Sequence, residues 1–158
     1  RHSFPTRRSS DLPDDVYAYA RWLNDSGHVP GARLCTEWEW ERAARGADER
    51  EFPHGETLEP SEANFDETYG KNTVSAGPDG IGSYPATTTP FGLLDMAGNV
   101  FEWVESSLAG GEYVVRSGSY FQGAIAARAT NRSPIDKNFR DPTFGARICA
   151  PYAPKSKP

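Results

Sequence analysis

From Phe52 to Pro90 the chain runs through glycine, proline, asparagine, aspartate, serine and threonine with few periodic runs. That stretch limits the folds open to it. Loop and turn with at most short strands is the expectation. Irregular segments of such length are uncommon in a compact domain unless something fixes them. A bound cation would do so, because hard oxygen ligands from several turns can share one ion.

Regular structure is expected on either side. Pro13 and Asp14 can start a helix through Tyr17, Tyr19, Ala20, Trp22 and Leu23, which Asn24-Asp-Ser-Gly27 stops. A second helix begins where Thr36 can cap, with Glu39 three positions on to complete a capping box. It ends at Gly46, and Trp38, Trp40, Ala43 and Ala44 form its expected core face. Glu112-Tyr-Val-Val-Arg116 and Thr143-Phe-Gly-Ala-Arg-Ile-Cys-Ala150 read as strands of a twisted, mostly antiparallel sheet, the second closing it. Two helices followed by loops and short strands predict an α+β domain.

A chain of 158 residues is one domain at most. Its net charge of −5, with acidic and basic residues interspersed, gives no footprint for nucleic acid. No apolar run reaches the length of a membrane span. The tail from Pro151 to Pro158 is expected to be disordered.

Two groups of oxygen ligands stand out. In Gly92-Leu-Leu-Asp-Met-Ala-Gly-Asn-Val-Phe-Glu-Trp103, Asp95 and Glu102 can bracket a shell to which Gly98 and Val100 add carbonyls. Earlier, Asn64 followed by Phe65, with Asp79-Gly-Ile81, supplies an amide, a carboxylate and two carbonyls. Calcium takes about six to eight such ligands. By local chemistry alone the segment from Gly92 to Trp103 reads first as an ordinary turn, and Asn64 with Asp79 equally well as turn residues. The two cysteines, Cys35 and Cys149, are expected as buried free thiols, with a disulfide as the alternative. Without a histidine constellation they do not make a zinc site. His28 and His54 lie far apart in turn-rich sequence and read as lone surface histidines.

Several motifs occur in a telling order: Arg33-Leu-Cys-Thr-Glu-Trp-Glu-Trp-Glu-Arg-Ala-Ala-Arg-Gly46, the segment from Gly92 to Trp103, Arg116-Ser-Gly-Ser-Tyr120 and Gly145-Ala-Arg147. This order resembles the sulfatase-modifying-factor family, whose founding activity is formylglycine generation. The likeness spans about residues 15 to 150. It implies a C-type-lectin-like fold with short helices, short strands and long loops. It also implies calcium at both groups, Asn64, Phe65, Asp79 and Ile81 in one and Asp95, Gly98, Val100 and Glu102 in the other.

Formylglycine generation in that family relies on two cysteines just after the GGSY-like strand, which hold Cu(I). Here Gln122 stands where the first would be and an alanine near position 127 where the second would be. Copper is therefore not expected, and the chain reads as a pseudoenzyme: a calcium-stabilised binding or regulatory module in a larger bacterial protein, sometimes attached to a signalling kinase. The alternative is a formylglycine-generating-type oxidase or a non-haem iron redox enzyme whose metal ligands lie in a missing N-terminal part. Ser119 matches a serine beside the family's active centre but reads here as a strand hydroxyl. Asn131 and Arg132 are candidates for a groove that takes a peptide, protein or small-molecule ligand, while Arg147 is expected to hold an acidic side chain inside the fold.

His2-Ser-Phe-Pro-Thr-Arg-Arg-Ser-Ser-Asp-Leu12 reads as an in-frame translation of a sequencing-library adapter. Residues 1–12 are accordingly expected to be an artefact, and 13–150 the C-terminal part of the family's domain. The isolated fragment is expected to be poorly soluble, since lost upstream strands would expose apolar surface.

Overall fold

The computed structural model describes residues 13–71, 76–106 and 113–152. Helix α1, Pro13–Asp25, buries Val16, Ala20 and Leu23, the spacing of one helical face. Helix α2, Glu37–Arg45, carries the expected capping box: the Thr36 side chain accepts from the Glu39 N–H, and the Glu39 side chain accepts from the Thr36 N–H. Arg33 grips the same carboxylate with two nitrogens, at 2.7 and 2.6 Å. Bonds from Arg33 and the Thr36 backbone lower the Glu39 pKa to about 2. Gly46 ends the helix at φ 71°, where a Cβ would meet the Pro90 ring at 2.8 Å.

The expectation that both tryptophans of α2 are core is corrected. Trp40 is 1% exposed and Trp38 is 70% exposed. Residues two apart on a helix do not share a face, and the buried side of α2 is Glu37, Trp40 and Ala44.

Among the described residues six short strands follow the chain: β1 Arg33–Leu34, β2 Phe101–Val104, β3 Tyr113–Arg116, β4 Ser133–Ile135, β5 Phe144–Ala146 and β6 Ile148–Cys149. One sheet has the order β4-β3-β2-β5, with β2 and β5 parallel and the other pairs antiparallel. The second is the antiparallel ribbon β1-β6. The segment Thr143–Ala150 is thus two strands rather than one closing strand. They part at Arg147, whose guanidinium turns to Glu102 (Nη2–Oε1 2.8 Å).

Every residue of β2 is buried, so both faces of the main sheet are covered. On one face Phe101 and Trp103 pack with Val16, Leu34, Val115 and Phe144. On the other Val104 and Val114 pack with Trp40, Ala44, Met96 and Ala129. A third cluster of Phe52, Ala63, Phe65, Ala97 and Ala127 lies under the long loop region and gives it an apolar floor.

The cysteine expectation is overturned. Cys35 and Cys149 form a disulfide, with Cα atoms 4.9 Å apart, and no free cysteine remains. Pairing of Arg33 with Cys149 and Leu34 with Ile148 across the ribbon brings the two within bridging range.

Helix α2 is bound to the main sheet by buried charge. Arg116, 1% exposed, reaches Glu41 at 2.8 Å, Glu37 at 3.4 Å and the Ala129 carbonyl at 2.7 Å. Its guanidinium also lies over the Trp40 ring, 5.2 Å from the centroid. Glu37 is held from its other side by Arg132, at 2.8 and 3.0 Å.

Candidate functional site

The loop region closes around Asn64, which is 1% exposed. Its Nδ2 donates to the Gly77 carbonyl (2.8 Å) and to Asn99 Oδ1 (3.3 Å), while its Oδ1 has no hydrogen-bond partner among the described residues. Asn99 gathers the surrounding backbone. Its N–H donates to the Asn64 carbonyl (2.7 Å), its Oδ1 accepts from the Asp79 N–H (2.8 Å), and its carbonyl accepts from the Tyr120 N–H (2.9 Å). Asn99 was not among the residues singled out from sequence. The Gly98-Asn99 dipeptide, a recognised turn pair, is the signal that could have found it.

Gly98 makes this junction possible. At φ 71°, a Cβ on residue 98 would lie 2.3 Å from the Asn64 carbonyl oxygen. Replacing Gly98 with alanine combines a left-handed backbone with a clash against main chain. It is expected to cost about 2 kcal/mol or more. Urea unfolding of the full chain measures this, and a cost under about 0.5 kcal/mol would show that the two loops can separate freely.

Of the other first-group residues, Phe65 is buried, and its carbonyl accepts from the Thr68 N–H at 3.0 Å. The Asp79 carboxylate accepts from the Tyr69 hydroxyl (2.9 and 2.8 Å) and from that of Tyr84 (2.6 Å). Burial, and then the bond to Asp79, raise the Tyr84 pKa. Ile81 is exposed. The buried amide oxygen of Asn64 suits a hard cation, whereas the Asp79 carboxylate is engaged by two tyrosine hydroxyls and Ile81 lies at the surface.

The second group is committed differently. Asp95 sits at φ 58° and its Oδ2 accepts from the Gly82 N–H at 2.7 Å. The Gly98 carbonyl accepts from Ser117 Oγ at 3.1 Å, and Val100 is half-buried beside Gly145. Both Glu102 oxygens bond Arg147, at 2.8 and 3.0 Å, and Oε2 also accepts from Trp40 Nε1 at 2.6 Å. Arg147 extends to the Leu94 and Asp95 carbonyls, at 2.9 and 3.4 Å. This is the internal acidic partner expected for Arg147. A guanidinium thus already offsets the one buried carboxylate of this group. Among the described residues no three His, Cys, Asp or Glu side chains form a metal-holding cluster.

Gln122 and Ala127 lie beside the first group. Ser119 Oγ donates to Gln122 Oε1 and accepts from the Phe121 N–H (3.2 Å). Ala127 closes the short turn Ala124–Ala127 and is 1% exposed, its methyl in the cluster under the loops. Asn131 donates to the Ala126 carbonyl at 3.0 Å, and Arg132 is spent on Glu37. The candidate groove residues therefore have their polar groups in bonds within the fold. His28 is exposed and stacks on Trp22. His54 is not a surface histidine: it is half-buried, its Nε2 3.1 Å from Glu62 Oε2.

An α+β domain with an oxygen-rich loop junction at one side of a small sheet is the class these features define. Residues 13–151 match the Sulfatase-modifying factor enzyme 1-like domain, and the chain belongs to that family. It is 42% identical over 87 residues to the serine/threonine-protein kinase pkn1 of Chlamydia caviae, a match covering 53% of this chain and 12% of the kinase. It is 37% identical over 123 residues to the formylglycine-generating enzyme of Mycobacterium tuberculosis, covering 65% and 38%. PvdO from Pseudomonas aeruginosa superposes with a TM-score of 0.73 at 23% identity, over 94% of this chain and 63% of that one, a likeness of fold. The matched region is thus a minor part of these curated relatives. Among the described residues no helix is long and apolar enough to cross a membrane.

Proposed function

We propose that this domain is a binding or regulatory module, a calcium-stabilised scaffold of its family without copper-thiolate chemistry. The observation that carries the reading is the pair of positions 122 and 127. A glutamine amide bonded to Ser119 and a buried alanine methyl stand there. Neither can ligate Cu(I) as a soft thiolate does, nor exchange disulfides with a substrate thiol. The match to pkn1 supports carriage beside a kinase or other signalling domain in a larger bacterial protein.

Calcium would be held first by Asn64, Phe65, Asp79 and Ile81, where a buried oxygen lacks a partner. Its role there is charge and oxygen coordination that fixes the long loop. A second ion at Asp95, Gly98, Val100 and Glu102 would share Glu102 with Arg147, so the first group should dominate binding. Thermal unfolding of the full-length protein with and without calcium tests this. At an ion concentration of about 100 times Kd the native state gains about 2.7 kcal/mol. The gain is expected to vanish in Asp79→Ala and to persist, reduced, in Asp95→Ala. No gain in the wild type would leave both loops as ordinary turns.

The likeness to a formylglycine-generating enzyme supports one other reading, a redox enzyme whose metal ligands lie outside residues 13–151. Incubating the full-length protein with Cu(I) or Fe(II), dioxygen as the oxidant and a cysteine peptide, beside a protein-free control for metal-driven autoxidation, separates the two. Thiol oxidation above that control would overturn the module.

A further inference from the structure

Beside Gln122 a cleft of about 170 Å³ is lined by Phe65, Asp66, Tyr69, Lys71, Tyr120 and Phe121. Its aromatic walls are open to solvent in part: Phe121 is 57% and Tyr69 43% exposed. The loops that form it are joined by main chain, with the Asp66 N–H donating to the Gln122 carbonyl (3.1 Å) and the Lys71 N–H to the Asp66 carbonyl (2.9 Å). The floor carries an unbalanced acid. Among the described residues Asp66 Oδ1 is buried without a hydrogen-bond partner, and Oδ2 has Lys71 Nζ at 3.7 Å. Lys71 is itself divided, lying 3.6 Å from Glu67, and its side chain is 65% exposed. Such a solvated pair is weak. With Lys71 drawn also toward Glu67, the Asp66 carboxylate in the cleft is incompletely offset, and exposed aromatic faces favour a cation further.

We propose that this cleft is a ligand site for a primary ammonium on an apolar stem, the chemistry of a lysine side chain. The stem lies between the rings of Tyr69 and Phe121, and the ammonium takes the place of Lys71 against Asp66. The ammonium meets Oδ2, whose present partner Lys71 Nζ stands 3.7 Å away. A compact ammonium suits the site better than a guanidinium, since the planar fork needs both carboxylate oxygens side by side and one is closed off here. This assignment deepens the binding-module reading and rests on it.

The test is isothermal titration of the full-length protein with N-acetyl-lysine methylamide and its uncharged analogue N-acetyl-norleucine methylamide. The lysine compound is expected to bind saturably, and the norleucine compound at least tenfold more weakly. Asp66→Asn should abolish that difference. Phe121→Ala should weaken both, and Lys71→Met, which removes the competing internal cation, should tighten lysine binding severalfold. Circular dichroism melts confirm that each variant is folded. Equal binding of the two probes, no binding of lysine, or a preference that survives Asp66→Asn would overturn the assignment. Thiol oxidation by the same preparation, with the lysine preference intact, would sink the module reading and leave the cleft standing.

Discussion

Replacing Arg116 with alanine is expected to destabilise the domain by about 3–5 kcal/mol, the cost of breaking a buried ion pair from one side. The variant takes one cation from Glu37, 3% exposed and also bonded to Arg132, and takes from Glu41 its 2.8 Å partner. It also removes the cation from the Trp40 face and the donor from the Ala129 carbonyl. Urea unfolding of the full-length protein measures the loss. Arg116→Met combined with Glu41→Leu should recover part of it, because replacing both partners with apolar groups leaves fewer unpaired charges. A single-variant cost under about 1 kcal/mol would show that α2 is held by apolar packing alone.

Replacing both Cys35 and Cys149 with alanine is expected to cost about 2–5 kcal/mol, since the bond closes a long loop in the unfolded chain. The ribbon it joins has only two residues in each strand. Losing the bond should therefore raise amide exchange at Leu34 and Ile148 before it affects Val114 or Val115 in the main sheet. Equal denaturation midpoints for the oxidised protein, the reduced protein and the variant would show that the ribbon stands without its bond.

Local signals were legible where the physics is local. The Thr36 and Glu39 cap, the stop at Gly46 and the four-residue strand around Val114 depend on neighbours along the chain, and each is in place. Asn64, Asp79 and Asp95 stand out as oxygen-bearing loop residues from residue type alone. What their side chains bond depends on distant segments, as with Tyr69 and Tyr84 on Asp79. Trp38 and Trp40 were assigned one face, although an advance of two residues carries a side chain to the other side of a helix. The cysteines were misjudged because β1 and β6 meet only through a long-range pairing. Arg132 looked available for a ligand because its buried partner, Glu37, lies 95 residues earlier.

The disulfide has a mechanical consequence. Tension applied to the chain outside Cys35 and Cys149 passes through the sulfur atoms, so the segment between them carries no load while that bond is intact. Pulling would peel away α1 and the last residues first. The oxygen-lined junction, the aromatic cleft and the main sheet would keep their shape.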